Sequence, residues 1–286
     1  MQIPFHYNDA GIVLTHKNND NHTRINVFLH TGRMIPVIHP SALTMKKNIP
    51  NLITLLNLVS GTLAILFILR NQLLMGSLCI TVALVLDFLD GFMARLLHAR
   101  SPMGEQLDSL ADLVSFGVAP GFIVWTLMDG STGSEGGLFA NLIPFIFVLI
   151  PVFSAIRLAR FTIDASQKYT FRGLPTPASA IFIGALPVIL ADKNTSSHVQ
   201  SFISDPLVLL VTTLLISFLM VAPVNMLSLK FRDFSWKSNG LRYLILLVSV
   251  ILIPLLRAGA FPVIIFIYVL VSVFFIPQRW WPARQE

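Results

Sequence analysis

The chain has 286 residues, 55% of them hydrophobic and only 12% charged, with a formal net charge of +6 and one cysteine. A soluble domain carries about a quarter charged residues and needs polar cover over its surface, so this composition excludes an ordinary soluble protein. The lysines and arginines lie in short loops between apolar blocks, with no basic stripe interleaved with aromatics. They read as topology signals of a membrane protein with lipids as partners, and not as a nucleic-acid surface.

Residues 1–44 differ from all that follows. The stretch is polar, rich in His and Asn, and holds no apolar run long enough for a span or a signal peptide. It is expected to be a disordered extension, or a segment upstream of a true start at Met45. Met45-Lys46-Lys47 then leads directly into apolar sequence.

A helix needs about 20 apolar residues to cross the hydrocarbon core. Eight segments are expected to do so, near 50–69, 73–97, 105–128, 138–162, 176–192, 204–224, 241–257 and 260–277. The expected fold is therefore an all-α polytopic membrane protein. Fourteen Lys and Arg residues fall on one side of this arrangement, against Arg70, Lys193 and Arg257 on the other. That asymmetry predicts both termini inside. Cys79, within the second segment, cannot form an internal disulfide and reads as a small packing residue. Gly117 and Gly121 in the third segment have the spacing of a close helix contact. Gly130–Gly137 reads as a flexible outer loop, and Trp280 and Trp281 as interfacial anchors.

The chemistry concentrates in the second and third segments. Asp87 and Asp90 are three residues apart and share one helix face; Asp108 and Asp112 are four apart and share another. Ser101-Pro102 is expected to end one helix and start the next. Asp90 and Asp108 then sit some 8–11 Å from the turn at about 1.5 Å per residue, so the pairs face each other at similar depth. Ionisable groups within spans are costly and mark pathways or sites. Four carboxylates this close need cations. An all-oxygen ligand set without His or Cys points to Mg²⁺, Mn²⁺ or Ca²⁺ and away from zinc. Four acids could hold two metals, as in enzymes that displace at phosphorus. The same acids would suit a divalent-cation transporter, and ion pairing with Arg95, Arg100 and Arg157 is the bland alternative. Gly91 and Ala94 either open a groove for a nucleotide or phosphate or serve tight helix packing. Arg95 could contact phosphate oxygens.

From Asp87 to Asp112 these residues read D-x2-D-G-x2-A-R-x8-G-x3-D-x3-D. The pattern resembles the signature of the CDP-alcohol phosphotransferase family at every fixed position, including Gly104. The resemblance covers roughly residues 46–225. It implies a six-helix membrane domain over 45–225, followed by a loop and two extra helices over 226–286. It further implies two divalent metal ions, Mg²⁺ or Mn²⁺, held by Asp87, Asp90, Asp108 and Asp112, with Asp112 as general base. Gly91, Ala94 and Arg95 would bind the nucleotide, with Asn51 and Thr54 contributing. An ordinary polar helix start explains the last two equally well.

Three further stretches, Asn48–Leu58, Arg157–Phe161 and Phe171–Ala178, resemble bacterial phosphatidylserine synthases. This narrower resemblance implies transfer of a phosphatidyl group from CDP-diacylglycerol to L-serine, with release of CMP. Phosphatidylglycerophosphate synthase is the nearest alternative. Arg157 and Arg160 would anchor phosphate or the acceptor carboxylate. The family also implies a homodimer in the cell inner membrane, with the site facing the cytoplasm.

Overall fold

The computed structural model describes residues 7–8, 11–17, 23–28, 34–37, 40–99, 101–131, 143–163, 171–227 and 236–275, with side chains from Asn48 onward over most of these. Residues 132–137 of the glycine-rich loop, Arg100, Trp280 and Trp281 lie outside them.

Short strands occupy the described residues of the polar N-terminal stretch. Four short strands, β1 Tyr7–Asn8, β2 Gly11–Lys17, β3 Thr23–Phe28 and β4 Met34–Val37, pair antiparallel in chain order. Val13 faces Val27 and Ile25 faces Val37, β-branched pairs of the kind that suit a pleated ladder. The helical body begins at α1, Pro40–Leu69, ten residues before the expected span.

The first three spans form two tight hairpins. α1 closes on α2, Leu73–Leu96, through Asn71, which takes a positive φ of 58°. Asn tolerates that left-handed conformation better than most residues. The Ser60 hydroxyl donates to the Cys79 carbonyl at 2.8 Å and ties the two helices at depth. His98, φ 50°, turns the chain after α2. Ser101 then caps α3, Pro102–Asp112, by accepting from the Gly104 amide, with Pro102 in the first turn.

The third span continues through a π-helical segment, Leu113–Val118, into α4, Ala119–Ser131. It is 56% buried inside the protein, against 33% for the first span and 28% for the second, which makes it the central helix. Small residues let its neighbours approach. A Cβ on Gly61 would lie 2.2 Å from Ser115 Oγ, and one on Gly117 would lie 3.0 Å from Ser154 Cβ. Phe116, Ile123 and Met128 fill the centre behind the site.

A 3₁₀ turn, Ile143–Val148, leads into α5, Leu149–Ile163. The short apolar helix α6, Thr176–Ala191, follows strand β5, Phe171–Arg172. Helices α7, Ser197–Ser204, and α8, Pro206–Val221, meet at a 63° bend. There the Asp205 carboxylate accepts from the Leu207 and Val208 amides and restarts the helix. Strand β6, Asn225–Met226, pairs antiparallel with β5.

Two last helices, α9 Trp236–Leu256 and α10 Ala260–Phe275, are joined by a 3₁₀ turn at Arg257–Gly259. They form a hairpin. A straight rod would put Trp236 about 54 Å from Ser272 at 1.5 Å per residue. The nine residues from Leu227 to Trp236 reach only about 32 Å, while the Leu227 amide bonds Ser272 Oγ at 3.1 Å. Arg257, at φ 50°, makes the turn and pairs with Asp192 at 3.5 Å. Among the described residues five helices are long and apolar enough to cross a membrane, or six if the bent pair counts as one span, with Thr176–Ala191 a shorter apolar helix. This is fewer than the eight expected spans but is the all-α architecture of a polytopic membrane protein.

Candidate active site

The site lies where α1, α2 and α3 meet, beside the turn between α2 and α3. Asp87 and Asp90 come from one face of α2, and Asp108 and Asp112 from the facing side of α3. One carboxylate oxygen each from Asp87, Asp90 and Asp108 lie within 4.8 Å of one another. Asp112, 9% exposed, stands one turn deeper, within hydrogen-bonding reach of Asp87. All four expected acids therefore converge, with three in a tight set and the fourth beside it.

Helix α1 supplies the polar lining. The Thr54 hydroxyl lies 2.6 Å from Asp90 Oδ2 and 3.1 Å from the Pro50 carbonyl. Asn57, one turn further along, donates from Nδ2 to Asp112 Oδ1 at 3.4 Å, while its own carbonyl accepts from Ser115 Oγ. Asn57 is a site residue absent from the sequence-based set. The signal was present: it sits three positions after Thr54, on the same face, as a polar residue in an apolar span.

Among the described residues, Asp108 Oδ1, Asn57 Oδ1 and Arg157 Nε are buried without a hydrogen-bond partner. Orphaned polar atoms of this kind are uncommon in native proteins and call for a ligand, ion or water. Three carboxylates within 4.8 Å, one oxygen of which is orphaned, fit a hard divalent cation. Of the arginines in the ionic alternative, Arg95 is turned to its own helix, and Arg100 lies outside the described residues. The Arg95 Nε donates to the Gly91 carbonyl at 2.8 Å within its own helix.

A pocket of about 300 Å³ opens beside the acids. Its walls include Asn51, Thr54, Asp90, Gly91, Ala94, Arg95, Gly104 and Asp108, with Ser101 and Glu105 at the turn. Every residue expected to bind the nucleotide thus lines one cavity. Gly91 decides between the two readings of the small residues, because a Cβ there would meet nothing within 4 Å. It faces open space and is not a packing contact. Gly104 is different: a Cβ there would lie 2.9 Å from Asn51 Oδ1, so it lets α1 and α3 close around the pocket. A second, apolar groove of about 390 Å³ shares Asn51 and runs outward along Ile49, Leu52, Leu55, Met103 and Leu107.

The two arginines of α5 separate. Arg157 is half-buried, donates to Thr176 Oγ1 at 3.4 Å and lies close enough to Asp112 to act on its charge. Arg160 is exposed and donates to the Val221 carbonyl at 3.2 Å, at the end of α8.

The profile of the CDP-alcohol phosphatidyltransferase family matches residues 47–217, the stretch that builds this site. The chain belongs to that family. Members of the family are metal-dependent, in keeping with the carboxylate set. Curated relatives are similar over much of the same region. A Bacillus subtilis protein is 36% identical over 181 residues, 62% of this chain and 88% of its own length. One from Helicobacter pylori strain 26695 is 36% identical over 162 residues, 54% of this chain and 65% of its own. One from Methanocaldococcus jannaschii is 34% identical over 135 residues, 47% of this chain and 58% of its own. Each is named CDP-diacylglycerol–serine O-phosphatidyltransferase. The chain spans 65% and 58% of the two Helicobacter relatives that it matches.

Proposed function

We propose that this chain transfers the phosphatidyl group of CDP-diacylglycerol to L-serine, releasing CMP, as its relatives' names say of them. The observation that carries the reading is the cluster of Asp87, Asp90 and Asp108, of which Asp90 and Asp108 line one pocket together with Asn51, Thr54, Gly91, Ala94 and Arg95. Asp87, Asp90 and Asp108, with Asp112 beside them, would hold two divalent cations, Mg²⁺ or Mn²⁺. Bound there, such ions supply positive charge that offsets the pyrophosphate and the departing CMP.

The chain's own residues do the rest. Gly91 and Ala94 leave room for the nucleotide against the backbone of α2, and Arg95 at the rim offers charge to its phosphates. Asn51 and Thr54 line the opposite wall. Asp112 accepts the proton of the serine hydroxyl, whose oxygen bonds to the phosphorus bearing the lipid. The bond from that phosphorus to the CMP oxygen breaks, and CMP leaves with the electron pair. Arg157, half-buried with a buried, unpaired Nε and near Asp112, holds the serine carboxylate.

The charge asymmetry of the loops supports an inner-membrane protein with its site and both termini on the cytoplasmic side. The family resemblance supports a homodimer. Purified protein given CDP-diacylglycerol, radiolabelled serine and Mn²⁺ or Mg²⁺ should place label in lipid, and chelator should stop it. Release of CMP with glycerol phosphate but not with serine would move the assignment to phosphatidylglycerophosphate synthesis. No lipid-dependent CMP release with any alcohol would sink the transferase reading.

A further inference from the structure

The last helix lies outside the matched family region, yet it reaches the site. Tyr268, 7% exposed, donates from its hydroxyl to the Leu227 carbonyl at 3.0 Å. Ser272, one turn on and fully buried, accepts from the Leu227 amide at 3.1 Å and donates to the Tyr268 carbonyl at 2.7 Å. Both backbone groups of Leu227 are thus held by two side chains of α10.

What Leu227 anchors is connected to the acceptor side. It follows β6, whose Asn225 and Met226 pair with Arg172 and Phe171. The next residues are stapled to the same region: the Gly173 amide donates to the Val224 carbonyl and the Leu174 amide to the Leu219 carbonyl, both at 2.9 Å. Only glycine fits at 173, with φ +73° and a would-be Cβ 2.3 Å from the Met220 carbonyl oxygen. Three residues later Thr176 opens α6 and accepts from Arg157. The Tyr268 hydroxyl also lies near enough to the Arg157 guanidinium to act on its charge.

We propose that Tyr268 and Ser272 are positioning residues for acceptor binding: by clamping Leu227 they hold the β5–β6 ladder and Thr176, and so aim Arg157 at the acceptor's carboxylate. The chain of contacts runs from α10 through Leu227, β6, β5 and Thr176 to Arg157, without a gap. This rests on the serine reading above. The two C-terminal helices are then a functional part of the site, and not merely membrane filling.

The test compares steady-state kinetics of full-length Tyr268→Phe, Ser272→Ala and Ser272→Thr with the parent, in one detergent. Tyr268→Phe keeps the ring and loses only the hydroxyl, so it preserves packing. The expected result is a rise in KM for serine of about threefold to tenfold, the range for one lost neutral hydrogen bond. The KM for CDP-diacylglycerol and kcat stay at the parent's values, and Ser272→Thr recovers most of the loss relative to Ser272→Ala. An unchanged serine KM in Tyr268→Phe overturns the proposal. So does a fall in kcat with both KM values unmoved and a lowered thermal midpoint, which marks a structural role only. A parent protein that takes no serine defeats the acceptor assignment instead, and the two failures are distinguishable.

Discussion

Gly91 separates a groove from a packing contact by experiment. Replacing it with Ala adds a methyl that meets no protein atom within 4 Å. Inside α2 the exchange removes the flexibility of glycine, worth about 0.5–1 kcal/mol in a helix. Gly91→Ala should therefore leave the thermal midpoint unchanged or raise it. The same methyl enters a cavity of about 300 Å³ beside Asp90. If a nucleotide occupies that space, overfilling costs about 1–3 kcal/mol, which raises the KM for CDP-diacylglycerol by about 5- to 150-fold. Gly91→Leu should abolish turnover while the protein still folds. The control is Gly61→Ala, whose Cβ would fall 2.2 Å from Ser115 Oγ and 2.8 Å from Ser115 Cα. That variant should lose stability. Thermal unfolding in detergent and lipid-dependent CMP release read the two effects separately. A Gly91→Leu protein with the parent's KM would refute the pocket assignment, and a destabilised Gly91→Ala would refute the open-space argument.

Asp112→Asn should lower kcat by about 10²- to 10⁴-fold, the usual contribution of a general base, and near-normal turnover would remove it from that role. Thr54→Val deletes the 2.6 Å hydrogen bond to Asp90. A bond to a charged group is worth about 1.5–3 kcal/mol, so the Mn²⁺ needed for half-maximal rate should rise by about 10- to 150-fold. A metal titration of the variant checks this. Gly173→Ala should cost about 1–3 kcal/mol from its left-handed backbone alone, seen as a lower thermal midpoint in detergent.

The acid cluster was legible in the sequence because three physical signals coincide. The i, i+3 and i, i+4 spacings place each pair on one face, Ser101-Pro102 marks the turn, and charge is rare in spans. The cap at Ser101 and the convergence of Asp87, Asp90 and Asp108 follow that reading closely. What escaped it depends on contacts between distant segments. Asn57 meets Asp112 across 55 positions, and Tyr268 meets Leu227 across 41. No local pattern encodes either pairing. Nor does the sequence announce the π-helical segment that starts directly after Asp112; such segments favour functional sites. Arg157 and Arg160 look alike as neighbours on one helix, yet tertiary packing half-buries the first beside Asp112 and spends the second on the Val221 carbonyl.

Asn51 belongs to both the polar pocket and the apolar groove beside it. The groove's residues Ile49, Leu52, Leu55 and Met103 are exposed apolar side chains. On the proposed function, a donor with a water-loving head and greasy tails would engage both spaces at once without leaving its leaflet. The concentration that governs the reaction is then two-dimensional. Diluting the donor with inert lipid at constant bulk amount should slow the enzyme, whereas adding more vesicles of the same composition should not.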